Sequence, residues 1–205
     1  MVKKVISFIV VAIMTVSLIA CGGNKGGGET KNEEKILYSN GGPIEFFETP
    51  WLNPGVYTYT KVLYDHLIEA DADLNPSKGE LAKDYTLSED GTELVFNLRD
   101  DIYWHDGEKI TGEDIKWSIE YSMKTAVINS VILNTFKAIV GSEDYLAGKT
   151  DGLSGIVIDG NKITITFDKV APDALLTFTQ FAPLPKKYFD GVDPLKFQQA
   201  EYLQS

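Results

Sequence analysis

The stretch from Asp84 to Glu120 constrains the fold more than any other part of the chain, because a hairpin, a turn and a helix follow one another in it without a gap. Leu94, Phe96 and Leu98 alternate with Val95, Asn97 and Arg99, the period of a strand with one face buried. Asp90-Gly91, just before, supplies the positive φ that a tight turn needs and makes Tyr85–Leu87 the other arm of a hairpin. Asp106-Gly107 marks a second turn after Ile102-Tyr103-Trp104. Thr111 and Asp114 then stand at capping-box spacing, with Asp in place of the usual Glu. Ile115, Ser118, Ile119, Ser122 and Met123 put one face of the following helix toward a core.

The rest of the globular part repeats this grammar. Ile156 and Ile158, then Ile163, Ile165 and Phe167, alternate on either side of Asp159-Gly160-Asn161 and predict a second hairpin. Two hairpins imply a small antiparallel sheet covered by helices on one face. Helical spacing marks Tyr57–Glu69 (Tyr59, Val62, Leu63, His66, Leu67) and Val127–Val140 (Ile128, Val131, Ile132, Phe136, Ile139). Ser142–Gly148 reads as a short helical turn, and Asp71–Gly79 as a turn-rich link. Pro172 is placed to open a helix through Leu175, Leu176 and Phe178 at its first position. Phe181–Phe189 is extended and broken by prolines, and Asp193-Pro194 starts a further helix.

The N-terminus is of a different kind. Lys3 and Lys4 precede an apolar run from Val5 to Ala20, the pattern of a secretory signal over residues 1–20. Leu18-Ile19-Ala20-Cys21 forms a lipobox, and Cys21 is the only cysteine of the 205 residues, so no intramolecular disulfide is available to it. Acyl chains on Cys21 would anchor the protein to a membrane surface. Residues 21–34 are Gly-rich and then charged, without apolar period, and read as a flexible tether. Lys35–Asn40 reads as a first strand, ended by Gly41-Gly42-Pro43.

The Asp84–Glu120 stretch resembles the signature of the peptide- and nickel-type solute-binding proteins of ABC importers, solute-binding protein family 5. Leu81-Ala82, Asp90-Gly91, Leu98-Arg99, Trp104-His105-Asp106-Gly107 and Thr111-Gly112-Glu113-Asp114 match the family pattern in order and spacing. The resemblance implies an α/β fold of the type II periplasmic-binding-protein kind with an extra inserted subdomain, here the N-terminal lobe, with a mixed sheet, two β-hairpins and packed helices. On that scheme residues 35–44 are the first strand of lobe I, 45–180 the inserted subdomain and 181–205 the return to lobe I. Family members are well over twice as long, so the present chain is expected to be a truncated form, a fragment without the remainder of lobe I and all of lobe II, and to bind peptide poorly by itself. The implied partners are a peptide ligand, the permease subunits of an ABC importer and, through Cys21, the outer face of the cell membrane. The tether is similar in composition to those of Gram-positive lipoproteins. A signalling-peptide receptor or adhesin on the same fold, or a nickel, haem or oligosaccharide binder, are the alternatives.

Site residues follow from the same reading. Ile44–Gly55 crowds Phe46, Phe47, Trp51 and two prolines into a segment without period. Such a segment is either a loop pinned onto the core or a ligand-facing wall. The resemblance places it at the cleft between lobes, which favours Phe46, Phe47, Trp51 and Asn53 as ligand contacts. His105-Asp106 is the one pair that invites a catalytic or metal reading, but no nucleophile or further ligand accompanies it, and two histidines give no zinc spacing. Trp104 is expected to pack while His105 and Asp106 hold the turn. Trp117, off the apolar stripe, is expected to be a subdomain contact and not a ligand platform. No enzyme activity and no cofactor are predicted. The net charge of −11, without clustered Lys and Arg, disfavours nucleic acid.

Overall fold

A computed structural model describes Trp51, residues 63–125 and residues 128–201. The leader, Cys21, the tether, the first strand, and Phe46, Phe47 and Asn53 lie outside the described residues. Those that are described all fall within one compact unit, Ile44–Ser205.

Strands β1 (Ile68–Ala70) and β2 (Pro76–Gly79) form a two-stranded ribbon, and β3 (Ala82–Leu87) and β4 (Glu93–Leu98) form the first predicted hairpin. Its register pairs Tyr85 with Phe96 and Leu87 with Leu94. Gly91 takes φ 67° in the turn, where the Ser88 hydroxyl and the Asp90 carboxylate gather the amides of Glu93 and Thr92 at 2.9 and 3.1 Å. The hydroxyls of Ser88 and Thr92 hold the Asp90 carboxyl below its ordinary pKa.

The second hairpin is β5 (Ile156–Asp159) and β6 (Lys162–Thr166), with Gly160 at φ 59° in its turn. The two hairpins join through their later strands, Phe96 opposite Ile163 and Leu94 opposite Ile165, giving the order β3-β4-β6-β5. Both sheets are antiparallel throughout the described residues, so the parallel pairing that a mixed sheet requires is not among them. Leu94, Phe96, Leu98, Ile163 and Ile165 are buried on one face, while Val95, Asn97, Thr164 and Thr166 on the other are half-buried. That is the alternation of a sheet with one wet side.

Helices α1 (Gly112–Ser122), α2 (Ser130–Lys137), α3 (Ser142–Leu146) and α4 (Ala174–Phe178) contribute Ile115, Ile119, Phe136, Tyr145 and Phe178 to the same core. The capping box of α1 is complete: Thr111 Oγ1 accepts from the Asp114 amide at 3.3 Å, and Asp114 accepts from the Thr111 amide at 2.9 Å. Gly112 permits α1 to start tight against the second hairpin, since a Cβ there would lie 2.8 Å from Ile158 Cγ2. Phe178 meets Phe96 edge-on with centroids 5.0 Å apart, so α4 closes over the first hairpin.

Several expectations need correction. The helix expected over Tyr57–Glu69 does not reach Glu69: Tyr64–Leu67 are non-helical and Ile68 begins β1. The carbonyls of His66 and Leu67 accept from the amides of Leu81 and Glu80 at 2.9 and 3.1 Å, which draws them into an extended ladder. His66 is therefore not a helical residue. The link Asp71–Gly79 contains β2, turned by the Asp71 carboxylate on the amides of Asp73 and Asn75, both at 2.9 Å.

Pro172 stands before the cap of α4 and not at its first position, because the first helical bond runs from the Thr177 amide to the carbonyl of Asp173. In α2 the cap is Asn129, and Val131 is exposed while Thr135 is buried against Thr177, hydroxyl to hydroxyl at 2.8 Å. The segment 181–200 shows no break in packing from what precedes it: Phe181, Leu184, Phe189 and Phe197 belong to the same buried cluster as α1.

Candidate functional site

Of the signature residues, Trp104, His105, Asp106 and Gly107 form one turn beneath the chain that passes over it, while Asp90 and Gly91 stay in the turn of the first hairpin and Thr111 and Asp114 at the start of α1. Trp104 and Glu108 close the turn with a backbone bond of 2.8 Å, Gly107 takes φ 87°, and Tyr103 bridges Lys109. The Asp106 carboxylate accepts the Glu108 amide at 2.9 Å, which holds the turn as expected. It also reaches far along the sequence. Asp106 Oδ2 accepts from the Tyr188 hydroxyl at 2.7 Å and pairs with Lys187 Nζ at 2.6 Å, and Lys187 Nζ pairs with Glu108 Oε1 at 2.8 Å.

The electrostatics follow from these contacts. Lys187 first, then the Glu108 amide and the Tyr188 hydroxyl, hold the Asp106 carboxyl far below the usual carboxylate range. The same carboxylates push the Lys187 ammonium up, and Asp106 raises the Tyr188 phenol. His105 takes no part. It is exposed and, among the described residues, its ring has no hydrogen-bond partner. The expectation that His105 helps hold the turn is corrected: Asp106 does so with Glu108, Lys187 and Tyr188.

Next to this cluster lies a cleft of about 210 Å³. Its lining includes Tyr103, Trp104 and His105 of the signature turn, Pro183 and Pro185 of the segment that passes over it, and Asp65. A volume of this size falls short of the roughly 300–1,000 Å³ that encloses a drug-sized ligand. The cleft beside the signature turn is therefore smaller than a complete binding chamber. A second hollow of about 350 Å³ lies between the end of α2 and Lys169–Asp173, and shares no residue with the signature.

Trp51 corrects a further expectation. It is fully buried, stacked against Phe181 at 5.7 Å and Phe197 at 5.4 Å, and its Nε1–H donates to the Ala182 carbonyl at 2.8 Å. The pinned-loop alternative describes it, and it presents no surface to a ligand. Trp117 stacks on Tyr121, one turn along its own helix, at 4.8 Å, and lies tilted to Phe189 at 6.1 Å.

His66 is buried in the β1–β2 region, its amide on Glu80 Oε2 at 2.8 Å and its Nδ1 3.5 Å from the same oxygen. Among the described residues no three His, Cys, Asp or Glu side chains gather as a metal site would need. Lys187 and Tyr188 are the site residues that sequence reasoning missed. Their only local sign was a Lys-Lys-Tyr directly after Pro183-Leu184-Pro185, of which Lys186 meets the nearby Asp190 at 3.7 Å while Lys187 turns to Asp106 and Glu108.

Comparison with known proteins then places the chain. Residues 77–202, well over half of it, match the family described as bacterial extracellular solute-binding proteins, family 5 middle. The dipeptide-binding protein of Lactococcus lactis subsp. cremoris (strain MG1363) is 27% identical over 190 residues, which is 88% of this chain and 32% of that protein. The periplasmic oligopeptide-binding protein OppAIV of Borrelia burgdorferi superposes with a TM-score of 0.57 at 27% identity, covering 70% of this chain and 30% of that one. NikZ of Campylobacter jejuni, solved with Ni(L-His), gives a TM-score of 0.57 at 25% identity, covering 77% and 29%. The chain thus spans about a third of the length of the relatives it matches. Residues 77–202 contain the two hairpins, the capped helix and the signature turn, and by that match the chain belongs to the bacterial extracellular solute-binding proteins of family 5.

Proposed function

We propose that this chain serves as part of a lipid-anchored, extracytoplasmic binding protein that captures oligopeptides and delivers them to the permease of an ABC importer. The observation that carries this reading is the alignment over 88% of the chain with a dipeptide-binding protein, within a family of extracellular solute-binding proteins. The small cleft fits it physically. An extended peptide is held by backbone pairing and by water exclusion between two walls, and two lobes hinging shut on the ligand provide those walls. The described residues supply one body of such an assembly, and Phe46, Phe47 and Asn53 remain proposed ligand contacts. Cys21 is the proposed site of acylation, which would hold the protein on the outer face of the membrane of a Gram-positive cell.

A nickel-chelate reading is favoured by the similarity to NikZ. It ranks second, because no group of three metal-ligating side chains occurs among the described residues.

The test is uptake. Deleting the gene should lower accumulation of labelled oligopeptides and leave Ni(L-His) uptake unchanged, and restoring the gene should reverse the loss. Peptide uptake that is indifferent to the deletion refutes the proposal, and a selective loss of nickel uptake transfers it to the second reading. Labelled palmitate should enter the wild-type protein and not Cys21→Ala; equal labelling of both would overturn the anchor.

A further inference from the structure

We propose that Asp106 is a positioning residue, the hub of a charge latch that holds the Pro183–Phe189 segment on the signature turn and thereby sets the width of the cleft between them. Four side chains make the latch. Asp106 receives Lys187 at 2.6 Å and Tyr188 at 2.7 Å, and Lys187 is shared with Glu108 at 2.8 Å. An isolated exposed ion pair contributes little, whereas a cation gripped by two carboxylates together with a charge-assisted hydroxyl bond forms a network that holds geometry.

The segment needs such a fastening. It pairs with no strand of the described sheets. Upstream, Ser118 exchanges two hydrogen bonds with Leu184, and downstream the Tyr121 hydroxyl donates to the Val192 carbonyl at 3.2 Å. Between these two points, the latch is the long-range polar attachment the structure shows. The cleft walls, Tyr103–His105 and Pro183–Pro185, flank the latch directly in sequence. Releasing it removes the polar tie on the Pro185 side of the Pro183–Pro185 wall, while Ser118 keeps its hold on Leu184. The signature aspartate thus reaches across 82 positions of sequence to Tyr188, in addition to shaping its own turn. This inference does not depend on the nature of the ligand.

Hydrogen exchange on the full chain tests it. The amides of Tyr188, Phe189 and Val192 bond to the carbonyls of Pro185, Lys186 and Phe189. In Asp106→Asn these three should exchange about tenfold faster, while the β4 and β6 amides keep their wild-type rates, the mark of local and not global opening. Lys187→Met, an exposed change on the other side of the latch, should give the same pattern. The double variant should add less than the sum of the two single ones, because they share the Asp106–Lys187 pair. High salt should speed the wild type toward the variants and leave the variants unmoved.

With 5-fluorotryptophan in place of tryptophan, the Trp104 fluorine resonance should shift in both variants. Unchanged exchange in Lys187→Met, additive effects in the double variant, or a rise that includes β4 and β6 equally would each overturn the latch. An unmoved Trp104 resonance would overturn its control of the cleft.

Discussion

Replacing Ser118 by alanine is the sharpest probe of how the return segment is attached to α1. The Ser118 hydroxyl is fully buried, donates to the Leu184 carbonyl at 3.0 Å and accepts the Leu184 amide at 3.0 Å. Alanine keeps the helix and removes both partners at once, leaving a buried N–H and a buried C=O of Leu184 unmatched. Each orphaned group costs about 1–3 kcal/mol, and the lost hydroxyl returns part of that by no longer being desolvated. The expected net loss is about 2–4 kcal/mol, a large share of the roughly 5–15 kcal/mol that a domain of this kind possesses.

Ser122 is the internal control. It lies one turn on, equally buried, but its hydroxyl donates only to the Ile119 carbonyl of its own helix at 2.8 Å, a carbonyl that also accepts the Met123 amide at 3.3 Å. Ser122→Ala should therefore cost under about 1 kcal/mol. Urea unfolding followed by tryptophan fluorescence gives both values, with the slope expected to stay unchanged and the midpoint to move. A Ser118→Ala loss within about 0.5 kcal/mol of that of Ser122→Ala would refute the reasoning.

Two further outcomes follow from the same structure. Thr111→Ala removes one half of the α1 capping box and should cost about 1 kcal/mol, lowering the melting temperature by about 2–4 °C; a circular-dichroism melt without a shift would contradict the cap. Glu120 is pushed up chiefly by burial, partly offset by the Leu153 amide at 2.7 Å. A folded-state pKa above the unfolded one gives stability that is full in acid and lost as the pH rises through the folded value. Glu120→Gln, which keeps an acceptor for Leu153, should therefore gain on the wild type in melting temperature as the pH goes from acid to neutral. Parallel pH profiles of the two proteins would contradict this.

Local chemistry made much of the fold legible. Asp90-Gly91 and Asp159-Gly160-Asn161 announce turns whose glycines do take positive φ, and the alternation in Leu94–Leu98 and Ile163–Phe167 names the buried face. Thr111 and Asp114 name the start of α1 by a bond pattern that needs no tertiary information. What stayed hidden depended on partners far along the chain. His66 and Leu67 have helical spacing, yet the amides of Glu80 and Leu81 claim their carbonyls. Val131 fits the apolar face of α2 by spacing, but the buried side runs through Ile132, Thr135 and Phe136, and the Thr135 partner is Thr177, 42 positions on. Trp51 could be read as a wall or as an anchor, and only Phe181 and Phe197 decide between them. In the candidate site, the turn was legible through Asp106-Gly107, while Lys187 and Tyr188 gave no local sign of their destination.

The pairing of β4 with β6 has a consequence during synthesis. The turns at Gly91 and Gly160 let each hairpin form by itself within microseconds. Neither can hide its oily side alone, and the strands that must meet lie at opposite ends of the stretch from Leu98 to Lys162, which carries α1, α2, α3 and β5. Closing so long a loop is the slow event, and it rewards nothing until it is complete. On the ribosome Leu94, Phe96 and Leu98 emerge first and wait for Ile163 and Ile165 to be made, so a half-finished chain shows a bare apolar strand to its neighbours. A secreted protein built in this way gains from being kept unfolded by a carrier until the second hairpin has left the ribosome.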